Sequence, residues 1–246
     1  LAQDNVRLNI WEKPATAGKP TFIVFHGNTG HFGDVSEPIA GEPYFDRRYR
    51  VQTLKNIADS GSGIIAVSMR GYGASSRVKP SQKGYELDLR AVFSYIQEQG
   101  LQADDVILFG ESMGAAIALM LLNIMNADNF DPKITALIAS FSSIKNKAID
   151  DHPQLSLINL ERYIRHLFDN EKILRETESK TFFYLFHPEE DITTKKYHSE
   201  KLFRIAYERG LHTEYQELKG AGHITWDSKE VVSKILEKYT LLTKQF

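Results

Sequence analysis

The chain has 246 residues, 42% hydrophobic and 25% charged, with 30 Lys and Arg against 32 Asp and Glu and a formal net charge of −2. That length is enough for one well-buried core, and a single domain over residues 1–246 is expected. The near-neutral balance lacks the basic footprint of nucleic-acid binding, and the absence of cysteine excludes disulfide frameworks, thiolate zinc sites and thiol catalysis.

No apolar run approaches the roughly 18 residues that span a bilayer. The chain opens at Leu1, without an initiator Met, directly into a strand-like segment, Val6-Arg7-Leu8-Asn9-Ile10-Trp11. This start raises the expectation of a signal, anchor or first strand removed upstream. The compartment stays open: cytoplasmic, or membrane-associated if an anchor has been removed.

Short apolar runs then alternate with helical patterns, which predicts a mostly parallel sheet of about eight strands flanked by helices, an α/β fold. In chain order, strands are expected at Phe22-Ile23-Val24-Phe25, Ile64-Ile65-Ala66-Val67, Val106-Ile107-Leu108-Phe109, Ile134 to Ala139 and Phe182 to Phe186. These runs lack polar alternation, as strands covered on both faces do. Glu214 to Leu218 alternates more and suits an edge strand. Helices are expected at Gly84 to Gln99, with Leu87, Ala91, Tyr95 and Ile96 on one face, at Lys195 to Arg209, and at Glu230 to Leu242. Gly100 and Gly210 stop the first two.

The sharpest local signal is Gly110-Glu111-Ser112-Met113-Gly114, which fits G-x-S-x-G. A sharp turn from strand to helix lifts the serine hydroxyl out of the sheet and brings two backbones close, so side chains two positions either side must be absent. An apolar strand precedes the pattern, and Ala115-Ala116-Ile117-Ala118-Leu119-Met120 follows as a helix apolar almost all round. The other reading is a tight turn whose serine merely caps the helix.

A serine nucleophile needs a base, and the base needs an orienting group. His223, in Gly220-Ala221-Gly222-His223, follows the last expected strand and precedes the final helix. Such a loop reaches the carboxyl edge of the sheet, where Ser112 must also lie. The acid is expected after Phe182 to Phe186, where His187-Pro188-Glu189-Glu190-Asp191-Ile192 offers three carboxylates. Asp191 is preferred because its short side chain is easily held buried beside an imidazole; Glu189 and Glu190 are expected in solvent.

These residues resemble the α/β-hydrolase superfamily, and within it the Bem46-like branch. The likeness is carried by His26-Gly27-Asn28-Thr29-Gly30, by Met69-Arg70-Gly71-Tyr72-Gly73-Ala74-Ser75, by the G-x-S-x-G corner, and by the Asp191 and His223 loops, in order along nearly the whole chain. The resemblance implies an oxyanion hole made by the backbone N–H groups of Met113 and Asn28, with Thr29 as the rival for the second donor. It also implies a structural role for His26. Where relatives carry an aspartate before the Arg-Gly-Tyr-Gly turn, this chain has Ser68, and Val35 to Arg48 is longer than the family's short link. That insertion is read either as a wall of the substrate pocket or as a surface loop.

The expectation is therefore serine-dependent cleavage of carboxylic esters of short or medium acyl chains through Ser112, His223 and Asp191, with no cofactor and no metal. A small-molecule ester or acyl substrate is the expected partner, with no nucleic acid; the oligomeric state is left open. Thioester or peptide cleavage by the same groups, and a non-catalytic ligand-binding member of the fold, are the alternatives. Specificity is expected from about Ser140 to Lys180, where Leu155, Leu157, Ile158, Leu160, Ile164, Leu167 and Phe168 give one or two helices with an apolar side. This is either a short cap that lines an acyl pocket or touches a membrane surface peripherally, or an ordinary helix packed on the sheet.

Overall fold

Four consecutive residues show why helices must cover both faces of the sheet. Phe22 and Val24 point into one hydrophobic cluster and Ile23 and Phe25 into another, and all four are buried. A strand apolar on both sides loses that burial unless each face is packed. The computed structural model describes residues 1–33, 48–160 and 168–244.

In chain order the elements are β1 (Asn9–Lys13), β2 (Thr21–Phe25), α1 (Arg48–Asp59), β3 (Gly63–Ser68), α2 (Gln82–Glu98), β4 (Val106–Glu111), α3 (Met113–Ala127), β5 (Ile134–Ile138), α4 (Ile144–Asp151), α5 (Asn170–Glu176), β6 (Phe182–Pro188), α6 (Tyr197–Glu208), β7 (Thr213–Leu218) and α7 (Ser228–Thr243). Among the described residues seven strands form one sheet in the order β1-β3-β2-β4-β5-β6-β7. β1 runs antiparallel to β3 and every other pairing is parallel. Side chains of α1 and α7 pack on the face of Phe22 and Val24; those of α2, α3, α5 and α6 pack on the other.

The strand order reverses direction at β2 and β4. From β2 the chain moves outward to β3, then returns across β2 to β4. At such a reversal the loops leaving the two strands part in opposite directions and leave a crevice at their carboxyl ends. The Asn28 loop leaves β2 there, and Ser112 leaves β4.

The first strand starts later than Val6 to Trp11 suggests. The Arg7 N–H donates to Ser76 Oγ at 2.9 Å and the Arg7 carbonyl accepts from Ser76 N at 2.8 Å, so this stretch is spent on the turn near residue 76 and pairing with β3 begins at Asn9. Ser68 is buried, and its carbonyl accepts a 2.6 Å hydrogen bond from Ser75 Oγ that closes the Arg-Gly-Tyr-Gly turn. Arg70 of that turn is held by Asp88 (Nη2–Oδ1 2.8 Å) and Asp4 (Nη1–Oδ2 2.8 Å).

Between β5 and β6 the expected apolar-sided helix is only partly found. No residue of α4, nor of the short 3-10 turn at Pro153–Leu157, is buried. Leu157 and Ile158 are exposed, whereas Leu160 and Phe168 are buried. Polar contacts tether this stretch instead: Asn146 Nδ2 donates to Glu171 Oε1 at 2.8 Å, and Asp150 meets Lys195 at 3.3 Å and His198 Nε2 at 3.0 Å. Ile164 and Leu167, and all of the 35–48 insertion except Arg48, lie outside the described residues.

Candidate active site

The corner at Ser112 joins β4 to α3 with no intervening loop. Ser112 has φ 54 and ψ −116, outside the usual regions for an L-residue, and its N–H is pinned to the Ile138 carbonyl at 2.8 Å. A non-glycine residue held there costs of order 1–3 kcal/mol and persists only where its surroundings impose it. The two glycines are required by contact. A Cβ on Gly110 would sit 2.3 Å from the Gly114 carbonyl oxygen, and one on Gly114 would sit 2.1 Å from the Phe25 carbonyl oxygen. Ser112 stands at the N-terminus of α3, yet its side chain makes no capping hydrogen bond. The hydroxyl is thus not used as a helix cap.

The Asp191 and His223 loops are laced together before their side chains meet. Glu189 N donates to the Leu218 carbonyl (2.9 Å) and Glu190 N to the Ala221 carbonyl (2.8 Å), extending the β6–β7 pairing past the strand ends. Glu189 is at the surface, where its carboxylate accepts from Gly220 N and Lys219 Nζ, both at 3.0 Å. Asp191 is buried. Its Oδ1 accepts from Thr193 N and Thr194 N, each at 2.8 Å, a local turn that suits a side chain of aspartate length. Its Oδ2 lies 2.7 Å from His223 Nδ1. A carboxylate accepts, so Nδ1 carries the proton and Nε2 is left as the basic nitrogen.

His187 lies beneath this pair. Its Nε2 is 2.9 Å from the Thr194 carbonyl and 3.6 Å from Asp191 Oδ2, and burial pulls its pKa down to about 4. A neutral imidazole there supports the loop without adding a second charge beside Asp191.

Across the crevice, the loop after β2 carries the expected second oxyanion donor. Among the described residues, neither Asn28 N–H nor Met113 N–H makes a hydrogen bond. Tyr72 reaches over from the Arg-Gly-Tyr-Gly turn, donating to Asn28 Oδ1 at 2.8 Å and lying 3.9 Å from Met113 Sδ. His26 shapes the loop through its Nδ1, 2.7 Å from the Gly27 carbonyl. Burial, aided by the nearby Arg50 charge, lowers its pKa to about 4. Thr29 and Gly30 are both in the left-handed region, with φ 61.

Sequence reasoning missed three residues of this site: Tyr49, Arg50 and Glu111. Arg50 is buried, and its guanidinium donates to the Thr29 carbonyl (2.9 Å), the Asn28 carbonyl (3.4 Å) and the Tyr49 hydroxyl (3.1 Å). Its Nη2 lies 3.5 Å from Glu111 Oε1, which also accepts from the Tyr49 hydroxyl. Burial works against the Arg50 charge, but Glu111 and Tyr49 outweigh it and hold its pKa above the ordinary value. Burial first, and then the Glu111 charge, push the Tyr49 phenol well above its usual range. Glu111 stood in view inside the G-x-S-x-G pattern; its burial was the signal that one sequence does not display.

A cavity of about 200 Å³ is lined by Gly27, Asn28, Thr29, Tyr49, Arg50, Glu111, Ser112, Thr193, His223 and Ile224. The structure therefore brings Ser112, His223 and Asn28 to one cavity, with Asp191 behind His223. Ser112 Oγ and His223 Nε2 are not hydrogen-bonded to each other; bonds of this kind are often long in free enzymes and tighten around substrate. Among the described residues no group of three His, Asp or Glu is placed to hold a metal ion, and no helix is long and apolar enough to cross a membrane.

A strained serine corner at a strand-order reversal, facing an Asp–His pair on loops after the last two strands, is the layout of one class of protein. The family model for the α/β hydrolase fold matches residues 20–172, and the chain belongs to that family. The human (Homo sapiens) protein ABHD12B is 23% identical over 205 residues, 80% of this chain and 52% of that protein. A multifunctional-autoprocessing repeats-in-toxin protein of Vibrio cholerae is 41% identical over 110 residues, 42% of this chain but 2% of the toxin. The chain thus spans about half of the human relative and a small part of the bacterial one. Among solved structures, Est1E of Butyrivibrio proteoclasticus with ferulic acid bound superposes with a TM-score of 0.65 at 15% identity, covering 97% of this chain and 96% of that one. Its esterase-like α/β-hydrolase fold is shared.

Proposed function

We propose that this chain is a serine hydrolase that cleaves carboxylic esters of short or medium acyl length, with Ser112 as nucleophile, His223 as base and Asp191 as the carboxylate that orients it. The observation that carries the reading is the 2.7 Å contact from Asp191 Oδ2 to His223 Nδ1 behind a cavity shared with a strained, uncapped Ser112. Ser112 Oγ bonds to the substrate carbonyl carbon while its proton passes to His223 Nε2. The carbonyl oxygen takes the negative charge and is met by Met113 N–H and Asn28 N–H, dipoles already aimed and worth more in a water-poor cavity. When the carbon–alkoxide bond breaks, His223 returns the proton to the leaving oxygen. Water then adds to the acyl-enzyme by the same route in reverse, releasing the acid and restoring Ser112.

The cavity supports small acyl groups: about 200 Å³ falls below the roughly 300 Å³ at which drug-sized pockets begin. Leu157 and Ile158, exposed beside the polar-tethered α4, support peripheral contact of this cap with a membrane surface or a longer acyl chain. The Bem46-like resemblance is retained with the proposal.

The test is Ser112→Ala in a p-nitrophenyl ester panel, with fluorophosphonate labelling. Wild-type protein is expected to label and to hydrolyse acetate and butyrate esters faster than palmitate; the variant is expected to do neither while melting as wild type does. Equal turnover by Ser112→Ala defeats the assignment. A preference for thioesters or amides in the same panel redirects the substrate, and an unlabelled, inactive wild type makes the chain a binding member of its fold.

A further inference from the structure

The two donors proposed for the oxyanion hole sit on different strands, Asn28 after β2 and Met113 after β4. Neither loop is tied to the other by a backbone hydrogen bond among the described residues. Side chains link them: Tyr72 reaches Asn28 Oδ1 and Met113 Sδ from outside, and Arg50 joins the Asn28 loop to Glu111 from beneath. Arg50, from the first turn of α1, is 3% exposed and turns its whole fork inward. Nη1 donates to the Thr29 carbonyl at 2.9 Å, and Nη2 to the Asn28 carbonyl at 3.4 Å. Nη2 also lies 3.5 Å from Glu111 Oε1, on the residue just before Ser112, and Nε donates at 3.1 Å to the Tyr49 hydroxyl that donates to the same carboxylate.

We propose that Arg50 is a positioning residue of the oxyanion hole, holding residue 28 from its carbonyl side against the Glu111–Ser112 corner and so keeping the Asn28 N–H in place relative to the Met113 N–H. The proposal rests on the serine-hydrolase reading above and adds a residue to it.

The geometry gives the clamp two tasks. An amide whose carbonyl is held in place has its N–H direction held as well, because the peptide is planar. The Asn28 N–H shares its plane with the Gly27 carbonyl, which lies 2.7 Å from His26 Nδ1; Arg50 holds the next two peptides, through the Asn28 and Thr29 oxygens, and so fixes residue 28 from its carbonyl side, where Thr29 and Gly30 both adopt φ 61. Arg50 anchors this side of the loop, as His26 anchors the Gly27 carbonyl and Tyr72 the Asn28 side chain. The clamp also neutralises Glu111, a carboxylate one residue from the nucleophile and near where negative charge develops. Gly27 allows this closeness: a Cβ there would lie 2.6 Å from Glu111 Oε1 and 3.3 Å from Ser112 Cβ.

Lysine could replace the charge but not the geometry. Its single ammonium presents no planar fork, so it cannot hold two carbonyls and a phenol in fixed directions at once.

The experiment compares wild type, Arg50→Met, Arg50→Lys, Glu111→Gln and the Arg50→Met/Glu111→Gln double variant with p-nitrophenyl butyrate and with phenylboronic acid. The boronate forms a tetrahedral adduct on serine and places an oxygen where the oxyanion sits. Arg50→Met is expected to lose kcat by about 100-fold, the scale of one missing oxyanion donor, with KM within about three-fold. Its phenylboronic acid affinity is expected to fall in step with kcat. The double variant is expected to stay about as slow as Arg50→Met, since removing the carboxylate does not re-aim Asn28. Arg50→Lys is expected to lie about ten-fold below wild type, and it decides the matter should Arg50→Met fail to fold.

Wild-type kcat in either single Arg50 variant overturns the proposal. So does a raised KM at unchanged kcat, a boronate affinity that ignores the kcat loss, or full recovery in the double variant, which would make the effect one of charge alone. A wild-type chain without Ser112-dependent turnover defeats the serine-hydrolase reading and this proposal with it. A Ser112-dependent enzyme indifferent to Arg50 defeats only this one.

Discussion

Gly114→Ala is a one-carbon change that tests whether the corner's close packing matters. The added methyl would stand 2.1 Å from the Phe25 carbonyl oxygen, 2.6 Å from its carbon and 2.8 Å from the His26 carbonyl oxygen. These are backbone atoms of β2 and its exit, so no side chain can rotate out of the way. Restoring an ordinary contact of at least about 3 Å requires α3 and the end of β2 to separate by about 1 Å. Overpacking of this kind costs about 1–3 kcal/mol. For a domain of this size that lowers Tm by roughly 2–4 °C for each kcal/mol. The same displacement moves Met113 N–H away from Asn28 N–H, and a 1 Å misplacement can cost about 100-fold in rate. Calorimetry with p-nitrophenyl butyrate kinetics measures both effects on one preparation. A Gly114→Ala protein with wild-type Tm and kcat would refute close packing as the reason for the glycines of G-x-S-x-G.

Asp191→Asn separates the two jobs of that side chain. An Asn Oδ1 still accepts from Thr193 N and Thr194 N, so the loop is expected to keep its shape and the protein its Tm. Its amide, facing His223 Nδ1, favours the wrong tautomer, and kcat is expected to drop by about 10⁴-fold; a loss under about ten-fold would remove Asp191 from the mechanism. Acid should weaken the fold before carboxylates titrate. His26 and His187 hold folded pKa values near 4 against 6.5 unfolded, so the unfolded chain binds protons first as pH falls, and their stabilisation, complete above 6.5, is lost on the way down to about 4. By pH 5.5 the two together should cost about 3 kcal/mol; identical urea midpoints at pH 7.5 and 5.5 would contradict that.

How much of this was legible in the sequence depended on whether burial coincided with hydrophobicity. β2 through β6 are apolar runs, and their expected positions fall within the observed strands to within one or two residues. The corner announced itself because its glycines answer a steric demand that any sequence must meet. Asp191 was separable from Glu189 and Glu190 because side-chain length decides which carboxylate can accept from N–H groups two and three residues on. α1 escaped because two of its four buried residues, Arg50 and Thr53, are polar and interrupt the 3.6-residue pattern that Leu54 and Ile57 begin. The Tyr49–Arg50–Glu111 cluster escaped for a deeper reason. Tyr49 and Glu111 are 62 positions apart, and a charged residue shows its partner only once the chain has folded.

The stretch from α4 to Leu157 contributes no buried side chain, yet it is held by tethers from Asp150 to Lys195 and His198 and from Asn146 to Glu171. Folding stability therefore places few demands on most of its sequence. Replacements at its outward positions, such as Leu157 and Ile158, leave the hydrophobic interior intact. This outer stretch and the interior therefore answer to different physical constraints, and they are free to change at different rates.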